Sequence, residues 1–174
     1  MKHVKLFLAM YLVSVVCLGQ SSPCYGSKGQ FHKNGGGFVA DSAKVDDTAF
    51  VDRAAQICGN AQIKNSAKIL NAAIVDEQAI VSENAVISVM AKVSGKSSIS
   101  GSAVVTGGAK VFGDAKIFEN ANVSGMAQVY QQASVSGLAN VTGSAKVFGQ
   151  AQIKGKAKIH MKMSVSEEEI VDKK

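Results

Sequence analysis

The apolar positions of this chain repeat with a period of six residues. Steps of six from Ala43 to Ala157 give 20 positions, of which 19 are alanine and one, Ser97, is also small. A second register from Val39 to Val165 gives 22 positions, and all of them are valine or isoleucine. Chance does not produce such a pattern, so the fixed period is the first feature to interpret.

Each six-residue unit reads Ala-x-Val-x-Gly-x, which predicts one short strand and one corner. The alanine and the aliphatic residue are two positions apart, so both point to one side of an extended strand. Residues such as Gly59, Asn65 and Gly101 stand two positions before an alanine and favour turns. A period of six does not fit an α-helix and leaves too little strand for a flat antiparallel sheet. Three units make a coil of about 18 residues, and the repeat predicts an all-β parallel β-helix of about seven coils.

The repeat resembles that of the hexapeptide-repeat proteins with left-handed β-helix folds. The run GGGFVADSA (Gly35 to Ala43) and the unit GNAQI (Gly59 to Ile63) carry this resemblance, which is closest to uncharacterised bacterial and prophage proteins of the YdcK-like group. It covers residues 35 to 165 and implies a single-stranded, left-handed winding. The acyltransferases with this repeat usually have glycine directly after the aliphatic residue. Here glycine comes one residue later, which weakens the implication of transferase activity.

The beginning of the chain is typical of a secretory signal peptide. Lys2 and Lys5 precede an apolar run from Leu6 to Gly19. The run is about 14 residues long, which is short for a membrane span and typical of a signal core. We therefore expect a secreted or periplasmic protein with no membrane span after cleavage; an uncleaved anchor is the alternative. The expected segments are a signal peptide (1–19), a linker and N-terminal cap (20–37), the β-helix (38–165) and a charged tail (166–174).

The charge and the cysteines limit the function further. The formal net charge of +6 is spread along the chain, whereas nucleic-acid binding favours a clustered basic face. Cys24 and Cys58 remain after signal cleavage. In an oxidising compartment they could form a disulfide that clamps the linker onto the first coils; two unpaired thiols are the other interpretation.

The sequence does not favour catalysis. Hexapeptide-repeat acyltransferases use a histidine as general base and a loop that protrudes from the coils. In this chain His3 lies in the signal segment, His32 precedes the coils and His160 lies in the last coil, while the repeat runs without an insertion. We expect no metal and no cofactor, because two histidines are too few for a three-histidine zinc site. The prediction is a non-enzymatic structural or binding protein; the alternative is a degenerate, trimeric acyltransferase.

Residues 18 apart should stack on neighbouring coils and form outward rows. One row is aromatic and consists of Phe112, Tyr130 and Phe148; beside it lies a row of Lys110, Gln128 and Lys146. Three interpretations remain open. The rings stabilise the sheet, at about 0.2–1 kcal/mol for each cross-strand pair. They form a homo-oligomer interface, as exposed apolar stripes often do. Or they bind an extracellular or cell-surface partner such as a glycan, with Lys and Gln as polar partners.

A second outward face carries small polar residues. Hydroxyls recur at Ser88, Thr106, Ser124 and Thr142. A flat hydroxyl row is similar to that of ice-binding β-helices, but those show a doubled threonine row, and here the neighbouring row is Val86, Val104, Asn122 and Asn140. Asn122 and Asn140 each begin an Asn-x-Ser/Thr sequence, which is a glycosylation acceptor if the source is eukaryotic.

Overall fold

A computed structural model describes residues 24, 26–166 and 170–173. Every helix or strand in these ranges is a β-strand, and most strands are two residues long. In chain order they are β1 (Gly29–Phe31), β2 (Phe38–Ala40), β3 (Lys44–Val45), β4 (Phe50–Val51), β5 (Gln56–Ile57), β6 (Gln62–Ile63), β7 (Lys68–Ile69), β8 (Ile74–Val75), β9 (Ile80–Val81), β10 (Val86–Ile87), β11 (Lys92–Val93), β12 (Ser98–Ile99), β13 (Val104–Val105), β14 (Lys110–Val111), β15 (Lys116–Ile117), β16 (Asn122–Val123), β17 (Gln128–Val129), β18 (Ser134–Val135), β19 (Asn140–Val141), β20 (Lys146–Val147), β21 (Gln152–Gly155), β22 (Lys158–Ile159), β23 (Ser164–Val165) and β24 (Ile170–Lys173).

The strands form three sheets that share one core, and every pair of neighbouring strands is parallel except β1 and β2. The nine-stranded sheet runs β1-β2-β5-β8-β11-β14-β17-β20-β23, the eight-stranded sheet runs from β3 to β24, and the seven-stranded sheet runs from β4 to β22, each through every third strand. Paired residues are 18 apart, as in Lys110 opposite Gln128. The predicted all-β parallel solenoid of about seven coils is therefore confirmed. Its left-handed sense stays a prediction from the family resemblance.

The inward residues fill the core as two continuous ladders. From Ala49 to Ala157 the alanine positions are fully buried, and so are nearly all the valine and isoleucine positions beside them. β-branched side chains suit this arrangement because they are stiff and pack well on a pleated surface. Ser97 replaces one alanine and is also fully buried. Its hydroxyl donates a hydrogen bond to the Ser94 carbonyl at 2.7 Å, so the buried polar group is satisfied.

The corners explain the third regular position of the repeat. Every sixth residue from Gly59 to Met161 has a positive φ, between 54° and 76°. Glycine adopts this left-handed region without steric cost, whereas other residues rarely do. Glycine occupies ten of these corners and other residues occupy eight. The pattern of Gly, Asn and Glu two residues before each alanine thus reflects a backbone requirement.

Most corner residues that are not glycine hold the next coil through their side chains. Glu77 Oε2 accepts the Gly95 N–H at 2.8 Å, and Gln131 Oε1 accepts the Gly149 N–H at 2.6 Å. Four further corner residues do the same, namely Asn65, Asn71, Glu83 and Glu119. The remaining two, Val89 and Met161, have no side-chain oxygen that could accept this N–H.

The two ends of the solenoid depart from the repeat. At the N-terminal end β1 pairs antiparallel with β2 and closes the nine-stranded sheet. Residues 34–37 cover β4, where Asn34 Nδ2 donates to the Ala49 carbonyl at 3.0 Å and the Gly37 N–H to the Val51 carbonyl at 2.9 Å. At the other end β24, within the segment expected to be a charged tail, pairs parallel with β21. The expected signal segment, residues 1–19, lies outside the described residues.

Candidate contact surface

The aromatic row lies on the nine-stranded sheet. Phe112, Tyr130 and Phe148 directly follow β14, β17 and β20, and all three are half-buried. The ring centroids of Phe112 and Tyr130 are 4.9 Å apart, and those of Tyr130 and Phe148 are 5.2 Å apart. The 18-residue coil brings these three residues together, as their spacing in the sequence implied.

The three rings are stacked nearly parallel. The interplanar angles are 3° and 6°, so Tyr130 has both of its faces turned toward another ring. Each stacked pair is worth about 0.5–1.5 kcal/mol beyond the area it buries. A sugar ring binds an aromatic side chain through the ring face, and here the faces of Tyr130 are occupied. The geometry therefore disfavours sugar stacking on Tyr130, whereas Phe112 and Phe148 each turn only one face toward another ring.

The row of Lys110, Gln128 and Lys146 runs beside the rings. These residues pair in register on β14, β17 and β20, with Gln128 in the middle. Both lysines are exposed, and Gln128 is half-buried. Like charges directly opposite on adjacent strands are destabilising. The glutamine keeps Lys110 and Lys146 two rungs apart, whereas Lys92 on β11 lies directly opposite Lys110, so the row is positively charged and includes one like-charge pair.

An amide-rich corner next to the rings was missed by sequence reasoning. Two shallow cavities of about 450 and 580 Å³ meet there. Both cavities are lined by the stacked corner residues Asp114, Gln132 and Gln150. The signal was present, because these three residues are also spaced 18 apart. Amide and carboxylate groups in such a row can form hydrogen bonds with a polar ligand or with a polar protein surface.

Cys24 and Cys58 form a disulfide in the structure, with their Cα atoms 5.4 Å apart. Both residues are buried. The bond links residue 24 to the residue after β5, so the segment that leads into the N-terminal hairpin is held on the nine-stranded sheet. It lies at the opposite end of that sheet from the aromatic row.

Apart from Lys110 and Lys146 beside the rings and Asp114 at the adjoining corner, several titratable groups lie toward the two ends of the solenoid. The Lys33 ammonium, 2.7 Å from Asp47 Oδ2, lowers the pKa of the Asp47 carboxyl through a hydrogen bond and its positive charge. This pair lies near the N-terminal end. His32 Nδ1 contacts the backbone of Asn34, and His160 is exposed in the last coil. Across the ranges that the structure describes, no three His, Cys, Asp or Glu side chains are grouped closely enough to hold a metal ion.

The second predicted face lies on the seven-stranded sheet. Ser88 Oγ donates to Thr106 Oγ1 at 2.8 Å, so the hydroxyl row is partly linked by hydrogen bonds. Asn122 and Asn140 are strand residues in direct register. Their Oδ1 atoms are buried and accept no hydrogen bond. A buried acceptor without a donor is costly.

In comparisons with known proteins, no family model matches the sequence, and no curated protein or solved structure matches significantly. Among the described residues, no helix has the length and apolar character needed to cross a lipid bilayer.

Proposed function

We propose that this chain is an exported, non-enzymatic structural protein, and that it assembles through the aromatic end of its nine-stranded sheet. The observation that carries the proposal is the stack of Phe112, Tyr130 and Phe148 next to a positively charged row. Coils without inserted loops hold these side chains at a fixed spacing. A rigid array of this kind suits contact with a partner that is itself regular, above all a second copy of the chain.

The ring geometry supports protein contact in particular. Because the ring faces are turned toward one another, the row offers ring edges to a partner. Aromatic side chains are enriched at protein interfaces, and ring edges pack well against the side chains of another sheet. Lys110 and Lys146 flank the rings and would select a partner surface with acidic or amide groups, which the corner of Asp114 and Gln132 supplies on each copy.

A second candidate function is glycan binding at the amide-rich corner. Gln131, Gln132 and Gln150 stand close together there beside Asp114. Amides and carboxylates form hydrogen bonds with sugar hydroxyls, and the corner does not require a free ring face. The degenerate acyltransferase stays a less favoured proposal, because strands recur every six residues from Lys44 to Ser164 with no protruding loop between them.

Light scattering on the purified chain tests the proposal with two matched variants. Tyr130→Ser removes the middle ring of the row and both of its stacked contacts. Ile80→Ser removes an apolar side chain from the eight-stranded sheet, away from the rings and from the corner of Asp114 and Gln132. We expect an oligomer whose mass falls in Tyr130→Ser and is unchanged in Ile80→Ser. Equal masses for all three proteins, or a wild-type monomer, would contradict assembly through the rings. A wild-type monomer that binds immobilised polysaccharides would favour the glycan candidate.

A further inference from the structure

The seven-stranded sheet carries an uncharged outer surface. Its outward residues from Leu70 to Thr142 include no acidic or basic side chain, and the surface is bounded by Lys68 and Lys158. One row consists of valines and asparagines, from Val86 to Asn140, and the other consists mainly of hydroxyls. Since the chain has a formal net charge of +6, an uncharged face of this length is unusual on its surface.

Exposed apolar side chains border this sheet on both sides. On the corner toward the nine-stranded sheet, Val89, Met90 and Met126 are 42%, 67% and 62% exposed. On the opposite corner, Leu138 is 57% exposed. The first corner is itself uncharged from Asn71 to Ser144. The opposite corner also carries Glu83 and Glu119. Flexible methionines beside a flat face are typical of protein-binding surfaces, and we call the sheet with its first corner the uncharged face.

We propose that the uncharged face binds a second copy of this chain, with the two seven-stranded sheets packed around a two-fold axis. The inference is independent of the aromatic row, because it concerns a different sheet. In a two-fold interface the same patch is used on both copies, so it must be complementary to itself. The hydroxyl side chains meet this condition, because each carries a donor and an acceptor. The asparagine amides add donors only, since their Oδ1 atoms are buried.

The absence of charge on this face and the regular spacing of its rows both favour a second copy of the chain over other partners. Two chains of equal positive charge repel each other, and the repulsion is smallest where neither copy carries a charged group. The rows on this face repeat at the spacing of adjacent strands, about 4.8 Å. A partner with the same repeat can match every rung at once, and another copy of the solenoid has that repeat by construction.

The area of the uncharged face determines how stable the dimer is expected to be. Four strand steps separate Leu70 from Thr142, which is about 19 Å along the solenoid. A width of about 20 Å, from six residues of extended chain, gives a footprint of roughly 400 Å². Stable interfaces bury about 800 Å² on each partner. We therefore expect a dimer that dissociates on dilution.

The experiment introduces one charge in the middle of the face. Val104→Lys is compatible with the fold, because Lys68 and Lys158 occupy the same outward row. The matched control is Ile80→Lys, which makes the same type of change on the eight-stranded sheet, where Lys44 and Lys116 share its row. Circular dichroism and the melting temperature establish that both variants are folded.

Sedimentation equilibrium is measured over a wide concentration range in the Tyr130→Ser background, which removes association through the rings. We expect the mass of this protein to rise two-fold with concentration. The added Val104→Lys change should keep the mass at that of one chain, and the added Ile80→Lys change should leave the two-fold rise intact. A Tyr130→Ser protein that is monomeric at every concentration would overturn the inference. So would a Val104→Lys variant that still dimerises. Neither result tests association through the aromatic row. That association is measured by the difference in mass between the wild type and Tyr130→Ser.

Discussion

Replacing Val89 by asparagine is expected to stabilise the protein, because the valine occupies a corner that its side chain does not suit. Val89 has a φ of 65°. A β-branched residue in the left-handed region is a true outlier, whereas asparagine adopts this region far more readily. Asn71 is the equivalent residue one coil earlier, and its Oδ1 accepts the Val89 N–H at 3.3 Å. Asparagine at position 89 would extend the same arrangement to the Gly107 N–H.

The expected gain combines two favourable terms and one loss. The left-handed conformation costs an ordinary L-residue about 1–2 kcal/mol, and asparagine relieves a part of this. A hydrogen bond to the Gly107 N–H adds about 0.5–1.5 kcal/mol. The loss is limited, because Val89 is 42% exposed and so buries only part of its apolar surface. The sum is a stabilisation of about 1–2 kcal/mol. At about 2–4 °C for each kcal/mol, the melting temperature should rise by about 2–8 °C.

Thermal and urea unfolding of three variants separate these contributions. Val89→Asn should be the most stable. Val89→Gly relieves the backbone strain but adds no acceptor and loosens the unfolded chain, so it should lie between Val89→Asn and the wild type. Val89→Ala removes only the β-branch and should be close to the wild type. A Val89→Asn protein that melts at or below the wild-type temperature would refute the strain argument. Equal stability of the Asn and Gly variants would refute the contribution of the hydrogen bond to the Gly107 N–H and would leave the strain argument standing.

Three other changes have defined outcomes. Gly95→Ala should destabilise the chain by about 1–3 kcal/mol in urea titrations, because φ is +72° and the new Cβ would lie 2.6 Å from backbone atoms of the next coil; an unchanged midpoint would contradict this. Replacing Cys24 and Cys58 by serine should cost about 3–4 kcal/mol at the N-terminal end, and equal melting in calorimetry would argue that the disulfide does not stabilise the cap. Lys33→Ala should raise the pKa of Asp47 toward its ordinary value in an NMR titration, since the lysine is what lowers it; an unshifted titration curve would show that the ion pair does not form in solution.

The solenoid and the aromatic row could be predicted because both follow from a fixed period. Once the coil is known to hold 18 residues, the stacking of Phe112 on Tyr130 is a matter of counting. The angle between their rings could not be predicted by counting residues. It depends on side-chain rotamers in the stacked column, and it decides whether the ring faces are free for a ligand. The corner hydrogen bonds of Glu77 and Gln131 also required the structure, since the repeat predicts only that a corner residue stands there.

The structure of the two ends could not be predicted from the six-residue period, because the repeat pattern breaks down at both ends of the chain. The hairpin of β1 and β2 is antiparallel, and no repeat precedes Val39 to indicate it. One feature of the sequence does indicate the C-terminal strand β24. Val171 follows Val165 by six residues, but Met163 and Glu169 occupy the alanine positions of those units. Without the small residue the pattern resembles a charged tail, although the aliphatic ladder continues for one more rung.

Contact through the aromatic row is tested most directly by distances between spin labels on different copies. One label is placed at Gln128→Cys, beside Tyr130, and a matched label at Gln62→Cys, an outward glutamine on the eight-stranded sheet away from the corner of Asp114 and Gln132. Pulsed electron resonance on the assembled protein should give a short intermolecular distance for the first label and none for the second. Equal signals at both positions, or a signal only at position 62, would contradict assembly through the nine-stranded sheet.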